Sequence, residues 1–286
     1  MGNLIFADKL VKVKHVTLFE KILAILDASM PSPTLFGWYH ILCLGVVVAL
    51  CVLVCRTAKN ISDKKFNLVL RITAIVLLAF EVYKQLNFTY RPSSDVWDYQ
   101  WYIFPFQFCS TPMYVILIAS FLTKGKVKRS LCDFLATYGF LAGTLVMFYP
   151  SDVFIQTIGI NVQTMVHHGA MVVIGVFMYT SGRSEFSLKT ILRAVPTFAV
   201  LISCALIMNL IFVKLDFSDE TFNMFYISPY FSCTLPVFDI IYAKTPYPVF
   251  LLCYLIGFTI AGGVMPFLTL GAKKLLTRKK TKTRTA

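Results

Sequence analysis

Two places in this sequence combine reactive side chains with strongly apolar surroundings. Cys109 ends the run Trp101-Tyr-Ile-Phe-Pro-Phe-Gln-Phe-Cys, and the pair His167-His168 follows Gln163-Thr-Met-Val. Such groups are costly inside membrane spans and often mark function there. A thiol is a strong nucleophile only as a thiolate, which an imidazole within hydrogen-bond reach commonly produces. A Cys–His pair therefore requires a fold that brings these two places to one point.

The composition predicts an all-α polytopic membrane protein. Hydrophobic residues make up 57% of the chain and charged residues 14%, with a mean hydropathy of +0.72, which excludes an ordinary soluble domain. A span needs about 20 apolar residues, and the hydropathy pattern predicts about seven transmembrane helices. They cover residues 34–55, 67–88, 101–122, 131–149, 162–180, 189–213 and 247–271.

We predict a single seven-helix domain at residues 31–272, between two flanking segments. Residues 1–30 are amphipathic and too charged for a signal peptide, and we interpret them as an interfacial helix. Residues 273–286 form a basic tail. The eight cysteines contain no CxxC pair, so we predict neither a disulfide framework nor a metal site, and no cofactor.

The net charge of +13 is distributed asymmetrically between alternate loops. Nineteen Lys and Arg residues lie on the side that carries the tail, and seven lie on the other. By the positive-inside rule this places the amino terminus outside and the carboxyl terminus in the cytoplasm. The basic tail is then a topology anchor on anionic lipid rather than a nucleic-acid site. We expect an integral protein of a bacterial cytoplasmic membrane, and the sequence leaves its oligomeric state open.

This topology predicts that the reactive residues share one depth. At 1.5 Å per residue, Cys109 lies roughly 12 Å below the outer surface, the His pair roughly 8 Å and Glu81 roughly 10 Å. The same outer third receives further polar residues, namely Gln107, Gln163 and Asn209. Adjacent helical residues point about 100° apart, so one histidine faces this layer. We take it to be His168, with His167 as the equal alternative. In the opposing interpretation these polar groups only bond helices together.

The layer has the components of acyl transfer. Cys109 would be the nucleophile, His168 or His167 the base, Glu81 the group that orients the imidazole, and the amides the donors to an oxyanion. Phospholipid ester carbonyls lie near this depth, so an outer-leaflet phospholipid or lysophospholipid is the expected partner. Residues 214–246 are long enough to fold over the outer surface, which makes Asn223 and Tyr226 candidate lid or substrate contacts.

The run Phe104-Pro-Phe-Gln-Phe-Cys109 resembles the Leu-Pro-Leu-x-Leu-Cys signature of the YwaF-like family of bacterial integral membrane proteins. Further segments resemble those of the same family and occur in the same order. They are Pro150-Ser-Asp, the His168 region, Asn209, Asn223-x-Phe-Tyr with Pro229, and Tyr247-Pro248. That family is similar to eukaryotic acyltransferases that remodel ether phospholipids. The resemblance implies that Cys109 carries the acyl group and that His167 or His168 assists. Gln107 stands where many relatives have His, and Gln cannot act as a base.

Three functions are compatible with these residues. The leading hypothesis is a lipid acyltransferase or thiol-dependent lipid hydrolase. The second is a transporter or sensor that binds a polar ligand or relays protons through Glu81, Lys84 and the His pair. The third is a membrane scaffold without catalysis.

Overall fold

The computed structural model describes residues 17–91 and 96–282. Its helices, in chain order, are α1 (Leu18–Leu26), α2 (Trp38–Thr57), α3 (Asp63–Thr89), α4 (Thr111–Phe121), α5 (Lys126–Phe134), α6 (Phe140–Phe148), α7 (Ile158–Thr180), α8 (Leu188–Lys214), α9 (Phe238–Lys244) and α10 (Tyr247–Lys282). A π-helical turn, Leu135–Gly139, joins α5 to α6. Short strands β1 (Tyr90–Arg91) and β2 (Val96–Trp97) pair antiparallel. Residues 1–16 of the predicted interfacial segment and 283–286 of the predicted tail lie outside the described residues.

Six helices in the described ranges are long and apolar enough to cross a membrane. They are α2, α3, the continuous Lys126–Phe148 unit formed by α5 and α6, α7, α8 and the first part of α10. The prediction of an all-α polytopic membrane protein is confirmed. The third predicted span, residues 101–122, differs: only α4 is α-helical there, and it has 11 residues.

Proline chemistry explains why the third span is broken. Pro105 has no N–H to donate, and it restricts the preceding residue to extended backbone. Phe104 accordingly adopts φ −44° and ψ 134°, and the Phe106 N–H then donates back to the Phe104 carbonyl over 2.7 Å. The Tyr114 hydroxyl donates to the Pro105 carbonyl at 2.9 Å. The chain therefore runs as a 3₁₀ turn at Trp101–Ile103, an irregular segment at 104–110 and then α4.

Burial shows which helices form the centre of the bundle. In the most apolar 18-residue stretch of each helix, 67% of the residues are buried in α7 and 78% in the α5–α6 unit, against 11% in α2. Helices α6 and α7 pack closely because Gly143 has no side chain: a Cβ there would lie 2.7 Å from the main-chain oxygen of His168. Outer faces carry exposed aliphatic side chains, as expected for contact with lipid.

The short helix α1 lies at the carboxyl-terminal end of α3. It begins at a capping box, in which Thr17 and Glu20 satisfy each other's main-chain N–H groups. The Tyr83 hydroxyl donates to the Leu26 carbonyl at 2.8 Å, and the Asn87 amide donates to Asp27 Oδ1 at 3.1 Å. These bonds fix α1 across the end of the bundle that also carries Cys109.

Candidate active site

Cys109 lies in the irregular segment, two residues before α4 begins, rather than inside a continuous helix. The Ser110 and Thr111 N–H groups both donate to the Gln107 carbonyl, at 2.9 and 3.1 Å, and turn the chain into the helix. Helix amino termini carry partial positive charge, which favours a nearby thiolate, whereas burial disfavours it. The half-buried Cys109 side chain therefore stands at the positive end of a half-length helix.

His167 on α7 contacts this segment directly. Its Nε2 lies 2.9 Å from the Cys109 carbonyl oxygen, which can only accept, so Nε2–H donates and a neutral ring leaves a lone pair on Nδ1. Among the described residues, that buried Nδ1 has no hydrogen-bond partner. Covalent geometry keeps a cysteine sulfur within about 4.5 Å of its own carbonyl oxygen, so Sγ lies no more than about 7.4 Å from Nε2 and no more than about 9.6 Å from Nδ1 across the ring.

His168 is held differently. Its Nδ1 donates to the Thr164 carbonyl one turn earlier on α7, at 2.8 Å, and its buried Nε2 has no hydrogen-bond partner within residues 17–91 and 96–282. The two imidazole rings are 5.5 Å apart. The geometry therefore brings His167, the alternative to the favoured His168, against the Cys109 main chain.

A buried ion pair on α3 completes the charged part of the site. Glu81 is 4% exposed, and its Oε1 accepts from Lys84 Nζ at 2.8 Å and from Gln85 Nε2 at 2.7 Å. Its second oxygen, Oε2, is buried and has no hydrogen-bond partner in the part of the chain that the structure describes. The charges of Glu81 and Lys84 act on both Cys109 and His167. These four side chains thus form one electrostatic cluster, which we call the Cys109 cluster.

Gln85 and Tyr99 connect this cluster to the broken span, and neither was a predicted site residue. The Gln85 amide also donates to the Ile103 carbonyl at 2.9 Å, and its oxygen accepts from the Tyr99 hydroxyl at 2.8 Å. Burial, with a smaller contribution from Glu81, raises the pKa of Tyr99 to about 12, so its hydroxyl stays a donor at neutral pH. The position of Gln85, one turn after Glu81, was the available sequence signal.

The predicted lid segment folds against the aromatic side chains around Cys109. The Phe225 ring lies 6.0 Å from Phe106 and 5.5 Å from Phe108, while Phe222 lies 5.5 Å from Phe104. The alternating phenylalanines that precede Cys109 therefore form the floor on which this loop rests.

The same loop contains two residues in the left-handed region. Phe225 and Tyr226 have φ of 60° and 58°, a conformation that costs a bulky residue of order 1–3 kcal/mol. Asn223 stabilises the turn by accepting from the Ser228 N–H at 2.9 Å and donating to the Ser232 carbonyl at 3.1 Å. Burial first, and then the charges of Cys109 and Asp152, raise the pKa of Tyr226. Tyr226 is therefore a neutral hydroxyl within electrostatic reach of Cys109.

Asn209 acts on this loop rather than on Cys109. Its side chain, fully buried on α8, donates to the Met224 carbonyl at 3.0 Å and accepts from the Met224 N–H at 2.8 Å. Its oxygen and one of its two N–H donors are thus engaged by the Met224 main chain. Its position fixes the main chain immediately before the left-handed pair.

The two remaining predicted residues are less engaged. Gln107 Nε2 donates to the Tyr102 carbonyl at 3.2 Å, and its buried Oε1 has no hydrogen-bond partner among the residues described. Gln163 is buried on α7 one turn before His167, and its oxygen accepts a long bond of 3.4 Å from Thr164. Within the described residues, no group of three or more His, Cys, Asp or Glu side chains is arranged to hold a metal ion.

These features define an integral membrane protein of six long helices and one interrupted span, with a thiol, an imidazole and an ion pair at the interruption. The sequence model of the TMEM164 family matches residues 35–265, from just before α2 into α10. The chain therefore belongs to the TMEM164 family, a family of transmembrane proteins. No curated protein and no solved structure matches it. The closer resemblance to YwaF-like proteins stays a prediction.

Proposed function

We propose that this protein is a membrane-embedded lipid acyltransferase, or a thiol-dependent lipid hydrolase, in which Cys109 carries the acyl group. One observation carries the proposal: Cys109 stands at the amino terminus of α4, and His167 is held against its main chain with an unpartnered Nδ1. A nucleophile and a potential base are thus fixed to the same short segment, beside an ion pair that acts on both.

The chemistry would proceed in two balanced steps. His167 Nδ1 accepts the thiol proton as Sγ attacks a lipid ester carbonyl carbon; the carbon–sulfur bond forms, the ester carbon–oxygen bond breaks, and the proton passes to the departing lysolipid hydroxyl. A second lysolipid or water then gives its proton to His167 as its oxygen attacks the thioester carbon; the new carbon–oxygen bond forms, the carbon–sulfur bond breaks, and His167 returns the proton to Sγ, which restores the thiol. The Lys84 ammonium has three N–H donors, of which one bonds to Glu81, so it can stabilise the oxyanion in both steps.

An apolar groove beside the cluster supports a lipid substrate. It has a volume of about 430 Å³ and lies between α2 and α3, with α7 as its floor. It extends from Leu42 and Met165 to Val54 and Phe177, which at 1.5 Å per residue of α7 is about 18 Å. One leaflet contributes about 15 Å of hydrocarbon, so the groove has the length of an acyl chain.

The groove also ends in the right place. Leu77 in its wall precedes Glu81 by one turn of α3, and Val166 in its floor precedes His167 directly. A chain lying in the groove would therefore present its ester near the Cys109 cluster. Because lipid tails are as apolar as the groove, selection among chains would come from packing and shape rather than from the hydrophobic effect.

The proposal places the reaction in the outer third of a bacterial cytoplasmic membrane, with a phospholipid as donor and a lysophospholipid or water as acceptor. The loop that contains Asn223 and Tyr226 would cover the reacting ester and limit the access of water. The support for this role is its contact with the phenylalanines that precede Cys109.

The test uses purified protein in nanodiscs that contain phosphatidylcholine of defined acyl mass. We expect intact mass spectrometry to show one added acyl group that hydroxylamine removes, and we expect Cys109→Ala to abolish it. His167→Gln keeps a donor for the Cys109 carbonyl but removes the base, so acylation should slow by about 10²-fold or more. His168→Gln, the matched control, should slow it by less than about tenfold. Acylation that persists in Cys109→Ala, or no acylation of the unmodified chain by any lipid donor, would refute the proposal.

A proton-coupled transporter or sensor is the second candidate, because Glu81 Oε2 and one nitrogen of each imidazole are buried without hydrogen-bond partners among the described residues, and the two imidazole rings are 5.5 Å apart. Glu81→Gln would then abolish uptake into proteoliposomes along a pH gradient, while Cys109→Ser would leave it unchanged. The reverse dependence favours acyl transfer. A scaffold without catalysis would show neither dependence.

A further inference from the structure

Besides the apolar groove, a polar cavity lies at the end of the bundle away from the Cys109 cluster. It has a volume of about 190 Å³, and its charged lining consists of Asp63, Lys124, Lys128, Arg129 and Arg183. Asp63 is the first residue of α3, and its separation from Glu81 on that helix corresponds to about 27 Å. The cavity is therefore distinct from the proposed catalytic site.

The cavity has more positively charged side chains than there are negatively charged side chains paired with them. Arg183 Nη2 pairs with Asp63 Oδ1 at 2.5 Å, and Arg129 pairs with Glu185. Lys128, which is only 7% exposed, donates instead to two neutral oxygens: Asn67 Oδ1 at 2.5 Å and the Leu122 carbonyl at 2.7 Å. Lys124 adds a second positive charge at the exposed rim.

Two further groups have N–H donors to offer here. The Arg183 guanidinium lies over the Phe66 ring at 4.8 Å, and its buried Nε–H has no acceptor among the described residues. Helix α5 begins at the cavity after Gly125, whose φ of 117° suits glycine and whose position provides no side-chain cap. A buried ammonium, a guanidinium and a helix amino terminus are all stabilised by an anion, and a phosphate offers acceptor oxygens to each of them.

We propose that this cavity binds a phosphate group, supplied either by the headgroup of an anionic lipid or by free inorganic phosphate. The charge asymmetry of the sequence predicts that this end faces the cytoplasm, where anionic headgroups are abundant. Because Lys124 and Gly125 precede α5 while Arg183 follows α7, one bound phosphate would hold these two connections together.

The experiment compares three conditions on the full chain: nanodiscs of phosphatidylcholine alone, the same nanodiscs with inorganic phosphate, and nanodiscs that contain phosphatidylinositol 4-phosphate. Native mass spectrometry would detect the bound species, and a thermal melt would report stabilisation. We expect at least one phosphate source to bind and to raise Tm. Binding of the lipid alone would identify a headgroup site, and binding of both would identify a site for the phosphate itself.

Substitutions separate this site from general surface charge. Lys124→Gln changes an exposed residue and should fold normally, and combined with Lys128→Met it should weaken binding by about tenfold or more. Lys189→Gln removes an exposed lysine from the same predicted side, outside the cavity, and should have no effect. If neither phosphate source binds, or if Lys189→Gln weakens binding as much as Lys124→Gln does, the proposed site does not exist.

Discussion

Replacing Asn209 with leucine should release the loop above Cys109 without unfolding the bundle. The substitution removes two hydrogen bonds. It leaves the N–H of Met224, which is 0% exposed, without its acceptor, while the Met224 carbonyl keeps a long bond of 3.4 Å from the Ile227 N–H. The unpaired N–H costs about 1–3 kcal/mol and the lost bond to the carbonyl about 0.5–1.5 kcal/mol, so the loss is about 1.5–4.5 kcal/mol. The left-handed backbone of Phe225 and Tyr226 opposes the closed loop by a comparable amount. Local opening should therefore become far more frequent.

Hydrogen exchange measured by mass spectrometry tests this expectation. The amides of residues 224–228 should exchange at least about tenfold faster, since 1.4 kcal/mol corresponds to a factor of ten. Asn209→Asp keeps the acceptor for the Met224 N–H and should show a smaller increase. Ile207→Ala, on the exposed face of the same helix, should show none. Unchanged exchange in this segment, or an equal increase throughout the protein, would refute the argument that Asn209 holds the loop closed.

Three other substitutions test the packing described above. Gly143→Ala should lower Tm, because its Cβ would lie 2.7 Å from backbone and side-chain atoms of α7, whereas Gly45→Ala, with open space around it, should raise stability by about 0.5–1 kcal/mol. Arg193→Met should destabilise by about 3–5 kcal/mol, because it leaves the fully buried Asp133 carboxylate without the guanidinium 2.6 Å away; a melt of Arg193→Lys, which keeps the charge, is the control. Ala170→Phe, in the floor of the apolar groove, should shift acyl transfer toward shorter chains in a competition between donors, and an unchanged preference would separate the groove from the reaction.

Hydropathy predicted six of the seven spans correctly, because their apolar stretches coincide with regular helices. It failed for residues 101–122, where every second residue around Pro105 is a phenylalanine, a period of two that is typical of extended rather than helical chain. A hydropathy window averages over that pattern. Three of these rings pack against Phe222 and Phe225, far away in sequence, so the reason for the break becomes visible only in three dimensions.

The sequence predicted part of the candidate site. Depth arguments placed Cys109, Glu81 and the His pair in one layer, and the structure brings Cys109, Glu81 and His167 into one cluster. They could not choose between His167 and His168, since adjacent residues on α7 have equal depth and only the packing of neighbouring helices separates them. Nor could they show that the amide of Asn209 is occupied by the Met224 main chain.

The shortness of α4 has a consequence for the surrounding bilayer. Eleven residues extend about 16 Å, roughly half of a hydrocarbon core of about 30 Å. Lipids beside a short apolar segment adapt by local thinning, and Tyr102, on the Cys109 side of α4, is exposed to such contact. We expect the outer headgroups to sink at this face, which carries ester groups toward Cys109. The interruption of the helix would then bring lipid esters closer to Cys109, in addition to placing the thiol at a helix amino terminus.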